Sequence, residues 1–133
     1  MSGTIINDSS LNISKLALDG LARRQEAISN NVANADTPGY QSTTVNFESV
    51  IKAALNKTPS IRMQTSNVKH IQPSESSSGF AAVSRGGTAR ADGNNVDIDV
   101  ELMDMTEVGV KYQAISQVAS KKLALLKAIA SAR

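Results

Sequence analysis

Asn30-Asn31-Val32-Ala33-Asn34-Ala35-Asp36-Thr37-Pro38-Gly39-Tyr40 is the stretch whose reading decides the fold. It stops a helix and turns the chain. Pro38 lacks an amide hydrogen and fixes its own φ, and it pushes Thr37 out of the α region. Pro38-Gly39 suits the two central positions of a type II turn, where Gly39 supplies the positive φ. Asn34 and Asp36 can cap freed backbone groups or enter the left-handed region themselves. On chemistry alone this is a helix stop, and its neighbours must say what the stop is for.

Upstream, apolar residues recur on a heptad from Leu11. One row is Leu11, Leu18, Gln25 and Val32; the other is Ser14, Leu21, Ile28 and Ala35. Such a pattern predicts a helix over 11–34, roughly 36 Å long at 1.5 Å per residue. Its other faces carry Lys15, Asp19, Arg23, Arg24 and Glu26. The stripe is narrow and needs a partner helix. The first ten residues are polar, with Asp8, Ser9 and Ser10 all able to N-cap.

Downstream, Phe47, Val50, Ile51, Ala54 and Leu55 predict a short amphipathic helix within 44–56, with Asn46 placed to N-cap it. From Lys57 to Asn95 the signal weakens. Ser74–Gly79 and Arg85-Gly86-Gly87-Thr88 have loop compositions, Ile61, Met63 and Thr65 alternate, and Phe80–Val83 is briefly apolar. A small hairpin or an irregular insert fits. Asp92-Gly93-Asn94-Asn95 reads as a turn. Val96, Ile98, Val100 and Leu102 then alternate with polar residues, suggesting a short extended lead-in, with Asp97 or Asp99 available to cap the next helix.

That helix is expected over 102–132. Met105, Val108, Tyr112, Ile115, Ala119, Leu126 and Ile129 lie on one seam, broken by Lys122. Val118, Leu123 and Leu125 widen the apolar stripe to roughly half the circumference, more than one partner helix covers. Acidic residues come first (Asp97, Asp99, Glu101, Asp104, Glu107), and Lys111, Lys121, Lys122, Lys127 and Arg133 come last. Complementarity to the helix dipole accounts for this order, and so does contact between acidic and basic ends of adjacent subunits.

Composition agrees with a seam rather than a central core. The chain has 133 residues and only four aromatics, Tyr40, Phe47, Phe80 and Tyr112. The fold class is therefore mainly α: long N- and C-terminal helices packing as a coiled-coil-like pair, with a short helix and a small irregular or β middle segment. The division expected is 1–40, 41–95 and 96–133 within one elongated unit. Net charge is +2, too small for a polyanion footprint, and no basic stripe with stacking aromatics exists for nucleic acid. With no cysteine, thiol chemistry is excluded. No cleavable signal peptide and no membrane-spanning apolar run is legible.

Catalysis has little to stand on. His70 is the only histidine and reads as structural. Asp97, Asp99 and Glu101 stand at a spacing that suits helix capping better than a metal cluster. Ser76–Ser78 lacks a general base, and Gly86-Gly87-Thr88 lacks the end of a phosphate loop. No catalytic residue, metal site, cofactor or small-molecule substrate is expected.

Asn31-Val-Ala-Asn-Ala-Asp-Thr-Pro-Gly-Tyr40 closely resembles the signature that follows the N-terminal helix in the bacterial flagellar rod and hook proteins. Within it, Asn31, Asn34, Asp36, Thr37, Pro38, Gly39 and Tyr40 form the family turn. The 55 residues between Gln41 and Asn95 leave no room for the insertions of hook and distal-rod members, so the chain is most similar to a proximal rod protein of that family. Asn94-Asn95-Val96-Asp97-Ile98-Asp99 with Glu101, and Lys111-Tyr112-Gln113-Ala114, resemble the same group, as do Thr65 and His70-Ile71 more weakly.

The resemblance implies a structural subunit of the proximal rod of the flagellar basal body, self-assembling through its terminal helices. Leu18, Leu21, Ile28, Val32, Met105, Val108, Tyr112, Ile115, Ala119, Leu126 and Ile129 would supply helix packing and assembly. It also implies other rod subunits, the basal-body adaptor protein and the membrane ring protein as neighbours, export through the flagellar type III apparatus, and a periplasmic location. Alternatives are another proximal rod protein of the family, or a generic soluble helical adaptor that binds one partner helix. A rod subunit must offer more helix surface than its own fold covers, and an adaptor need not.

Overall fold

The computed structural model describes residues 9–56 and 80–131. Ile61, Met63, Thr65, His70 and the Ser74–Gly79 loop lie outside them. Helix α1 runs Ser9–Ala33, strand β1 Thr43–Val45, helix α2 Phe47–Leu55, strand β2 Ala82–Ser84 and helix α3 Ile98–Ser131. The architecture is mainly helical: two long helices pack side by side, with a two-stranded sheet and a short helix against α1.

The α1 stop forms as its residues dictate. Asn34 N–H donates to the carbonyls of Asn30 and Asn31, both at 3.1 Å, and Ala35, Thr37 and Tyr40 each donate to the residue three before. The Asn34 side chain adds a second donor to Asn30 O at 2.8 Å. Tyr40 N–H to Thr37 O at 3.2 Å closes the Pro38-Gly39 turn, with Gly39 at φ +73°. No non-glycine residue among those described takes a positive φ, so Asn34 acts by capping and not by entering the left-handed region.

α1 and α3 are antiparallel. The Lys122 ammonium donates to Ser10 Oγ at one end, and the Asn31 amide donates to Glu101 at the other. Both anchors lie 21 positions apart on their own helix, so the register holds over roughly 32 Å. The core joins Leu21, Ala27 and Ile28 of α1 to Val45, Phe47 and Val108, with Val32, Ile51, Phe80, Met105 and Ile115 packed on it. Burying one such large side chain contributes about 1.5–3 kcal/mol.

Several expectations need correction. The buried face of α1 is Ala17, Gly20, Leu21, Ala27, Ile28 and Asn31. The Leu11–Leu18–Val32 row is only half-buried and Gln25 is exposed. The cause is that α2 and β1 pack beside α3 on the small residues Gly20 and Ala27, rotating the core away from the simple heptad. Arg24 is not on an outer face: its guanidinium donates to Val45 O at 2.8 and 3.0 Å, pairs with Glu48 and lies 4.6 Å over the Phe47 ring.

Thr44, expected in the short helix, is in β1. Asn46 precedes α2 without a side-chain capping bond. The sheet pairs Thr43 with Ser84, Thr44 with Val83 and Val45 with Ala82, strands from either side of residues 46–81. The extended lead-in before the last helix shrinks, because α3 begins at Ile98. Asp97 Oδ1 accepts from the Asp99 and Val100 amides at 3.0 and 3.3 Å, and this cap outweighs the alternation of the apolar residues. On the α3 seam Val108 is buried, Met105, Ile115, Ala119 and Leu126 are half-buried, and Tyr112 and Ile129 face outward, 43% and 62% exposed.

Gly20 and Gly109 form a controlled pair. A Cβ at Gly20 would sit 2.5 Å from Phe47 Cβ and 2.6 Å from Cγ, whereas one at Gly109 meets nothing within 4 Å. Gly20→Ala therefore lowers stability by about 1–3 kcal/mol through overpacking despite its better helix propensity. Gly109→Ala raises it by about 0.5–1 kcal/mol. Urea unfolding of the two variants checks both signs.

Candidate functional site

The residues that attract notice in the sequence meet at one end of the helix pair. Asn31 is the centre. Its amide donates to Thr43 O at 2.8 Å and to Glu101 Oε1 at 3.0 Å, and its Oδ1 accepts from Thr43 N–H at 2.9 Å and from the Tyr40 hydroxyl at 3.2 Å. All four of its hydrogen-bonding positions are used. Asn31 thus gives Thr43 both bonds that a neighbouring strand would give, and ties α1, β1 and α3 at one buried point.

Asn94 holds the turn from the other side. Fully buried, its Nδ2 donates to the carbonyls of Asn34, Ala35 and Thr37 at 2.9, 3.1 and 2.9 Å, the backbone groups of the turn that follows α1. Its Oδ1 accepts from Val96 N–H at 2.7 Å, and its own amide donates to Asp92 Oδ1 at 3.0 Å. Arg90 reinforces it by donating to Ala35 O and Val96 O. Gly39 N–H donates to Asp92 O at 2.9 Å. Gly93, at φ +82°, approaches so near that its Cβ would lie 3.4 Å from Gly39 Cα. Asn95 completes the joint: Oδ1 accepts from Ser42 N–H at 2.6 Å and Nδ2 donates to Arg85 O at 2.9 Å.

Charge enters through Glu101 and Arg85. Glu101 is 1% exposed. Its Oε1 accepts from Asn31 and, at 3.3 Å, from Arg85, while its buried Oε2 has no hydrogen-bond partner. Arg85 also pairs with Asp104. That hydrogen bond raises the Arg85 pKa above its ordinary value against an opposing effect of burial, so the guanidinium stays charged. The group of carboxylates seen in the sequence is thereby divided: Asp97 caps α3, Glu101 turns inward, and Asp99 stays outside.

The two strings that carry the family resemblance, 31–40 and 94–101, are therefore two halves of one polar clamp. The turn residues Asn31, Asn34, Thr37, Gly39 and Tyr40 all take part through side chain or backbone, while Asp36 and Pro38 are exposed. In the sequence 92–95 reads as a turn of its own, and nothing there signals the partners of Asn94, Asn95 or Arg85. The available signal was the run of side-chain amides in both strings, since buried backbone groups outside regular structure need such partners. The side chains of Asn31, Asn34, Asn94 and Asn95 all bond backbone groups, which makes this a joint.

Asn94→Ala removes the donor shared by three turn carbonyls and leaves the buried Val96 N–H without its acceptor, at a cost of about 2–3 kcal/mol. Asn94→Asp costs more, because it turns carboxylate oxygens toward those carbonyls. Thermal and urea unfolding give the ranking; equal stability of both variants to the natural chain would contradict the clamp geometry.

The "Flagella basal body rod protein" family model matches residues 11–41, which are α1 and its turn. The flagellar basal body rod protein FlgB of Bacillus subtilis is 30% identical over 107 residues, covering 80% of this chain and 81% of that protein. FlgB of Salmonella typhimurium is 33% identical over 113 residues, 80% of this chain and 81% of the relative. FlgB of Borreliella burgdorferi is 32% identical over 122 residues, 82% and 86%. These alignments span far more than the single signature turn, and the chain belongs to the FlgB family of flagellar basal body rod proteins.

Proposed function

We propose that the chain is a structural subunit of the proximal flagellar rod, a section of the torque-transmitting shaft, and that it assembles through the helix surface its own fold leaves uncovered. One observation carries this reading. After Val108, no residue of α3 among those described is fully buried, although the helix continues to Ser131. Val118, Leu123, Leu125 and Ile129 are 61%, 56%, 60% and 62% exposed. Apolar surface of this kind, continuous along a helix, marks a site of association.

In this reading the half-buried Leu18, Ile115, Ala119 and Leu126 are shared between the internal seam and neighbouring subunits, and Tyr112 and Ile129 belong wholly to the assembly surface. Leu21, Ile28 and Val108 hold the hairpin itself. Segments 1–40 and 96–133 supply assembly, and 41–95 braces them. The role is mechanical and not catalytic, without nucleic acid or small-molecule substrate. The neighbours are other rod subunits, the basal-body adaptor protein and the membrane ring protein. The chain reaches the periplasm through the flagellar type III apparatus without signal cleavage. No helix among the described residues is long and apolar enough to cross a membrane.

Val118→Asp and Leu125→Asp place a charge on this surface without touching the core. Both variants are expected to fold with stability within about 0.5 kcal/mol of the natural chain, to be secreted at normal levels, and to be missing from isolated basal bodies with loss of swimming. Ile28→Asp, at a buried position, instead loses several kcal/mol of fold stability. Normal incorporation of both surface variants would overturn the assembly reading.

A further inference from the structure

The two edges of the small sheet differ. Arg85 N–H donates to Ser42 O at 2.8 Å, which continues the β1–β2 register by one bonded pair. Bonded and non-bonded pairs alternate along an antiparallel ladder. Thr44 and Val83 are therefore the next bonded pair, and Thr43, Val45, Ala82 and Ser84 turn their backbone groups outward. On the β1 side these groups are served by α1: Asn31 bonds both groups of Thr43, and Arg24 donates twice to Val45 O. On the β2 side, no hydrogen bond among the described residues reaches the backbone of Ala82 or Ser84, and both residues are exposed. Two donors and two acceptors thus stand at strand spacing on an open edge, a template for a further strand.

A cleft of about 370 Å³ adjoins this edge, between the sheet and α1. Ala27, Val45, Phe80 and Ala82 give its apolar lining, and Arg23 and Glu26, paired with each other, border it. A strand with apolar residues at alternate positions meets both needs, its backbone serving the edge and every second side chain the cleft. We propose that residues 61–65 of this same chain, Ile-Arg-Met-Gln-Thr, are that strand, paired antiparallel with β2. They lie outside the described residues, whereas the edge and cleft that receive them lie within. The pairing belongs to the single chain, whether or not copies join a rod. The chain leaves α2 at Asn56 and returns at Phe80, two residues before β2. Residues 57–79 are thus tethered beside the sheet at both ends, which gives them an effective concentration in the ~mM range.

Pro59 sets the register. Pairing Ile61 with Ala82 puts Pro59 opposite Ser84, where it lacks the N–H that the Ser84 carbonyl needs. Pairing Thr65 with Ala82 carries Ile61 past the end of β2, opposite Gly86. Pairing Met63 with Ala82 sets Ile61 against Ser84 and Thr65 against Phe80. Ile61 and Met63 then share the cleft side of the sheet with Ala82, because directly opposed residues point to one face. Arg62 and Gln64 share the other side with Val83, which is 48% exposed. A charged side chain on the outermost strand also guards the new edge against a stray partner.

The chain has no cysteine, so engineered thiols are unique. In this register Arg62 and Val83 form a non-bonded pair with Cα atoms roughly 4.5 Å apart, inside the ~4.4–6.8 Å of a disulfide. The full chain carrying Arg62→Cys and Val83→Cys is purified and oxidised at low concentration. The bond is expected within one chain, which still runs at 14.0 kDa. It forms about tenfold faster than in Gln64→Cys with Val83→Cys, which is out of register, and the difference vanishes in concentrated urea. Equal rates for the two pairs, or bonds only between chains, overturn the proposal. Amide exchange gives an independent readout, since the Met63 N–H faces β2 and the Arg62 N–H faces away, where proline is tolerated. Met63→Pro is expected to speed exchange at Ala82 and Ser84 by about tenfold or more, and Arg62→Pro by less than about threefold. Exchange at both amides that is already unprotected in the natural chain, or equal effects of the two prolines, also overturns it.

Discussion

The Asn31 side chain, fully buried where α1, β1 and α3 converge, makes four hydrogen bonds, and removing any partner leaves a buried polar atom unpaired at about 1–3 kcal/mol. That constraint propagates through the structure. Because Asn31 bonds both the N–H and the C=O of Thr43, the chain must leave the Pro38-Gly39 turn in the direction that makes β1 lie along α1. Because its second N–H reaches Glu101, α3 must pass at one register. A slide of α3 by one residue would withdraw Glu101 from the amide and expose Asn31 to an apolar neighbour.

Glu101 itself is a poor choice for stability alone. Half of its carboxylate is satisfied, and Oε2 is buried without a partner. An apolar residue at this place on the seam would hold the helices together more strongly, but it would accept several registers. Leu21, Ile28 and Val108 supply unspecific cohesion, and the Asn31–Glu101–Arg85 group supplies register. Arg85 comes from the end of β2, so the same group also fixes the middle segment onto α3. The clamp closes one end of the hairpin with polar bonds and leaves the other end, where α3 is apolar and uncovered, free for association. A subunit of a shaft needs both properties: a rigid internal geometry and surface that only neighbours can complete.

Much of this was legible in the sequence. The helix stop at Asn34, the type II turn with Gly39 at positive φ, the two long terminal helices and the over-wide stripe at Val118, Leu123 and Leu125 follow from local chemistry and period. The details that failed were non-local. Arg24 reads as a surface charge until Val45 and Phe47 are seen to pack over it. Thr44 reads as the start of a helix until β2 pairs with it across residues 46–81. Asn94 reads as a turn residue because nothing in its neighbours reveals that it reaches three carbonyls near residue 35. Gly20 carried no signal of its own, since its purpose is the closeness of Phe47. Periodicity finds faces; it does not say which of two neighbouring elements will cover them.

The claim that one buried polar contact sets the register is open to direct measurement by a double-mutant cycle between Asn31 and Glu101. Unfolding free energies are needed for the natural chain, Asn31→Ala, Glu101→Ala and the double variant. A register-setting contact to a buried carboxylate predicts a coupling of about 1.5–3 kcal/mol, with the double variant losing much less than the two single losses together. Additivity within about 0.5 kcal/mol would contradict it, placing register with the apolar seam and reducing the amide to an ordinary turn residue.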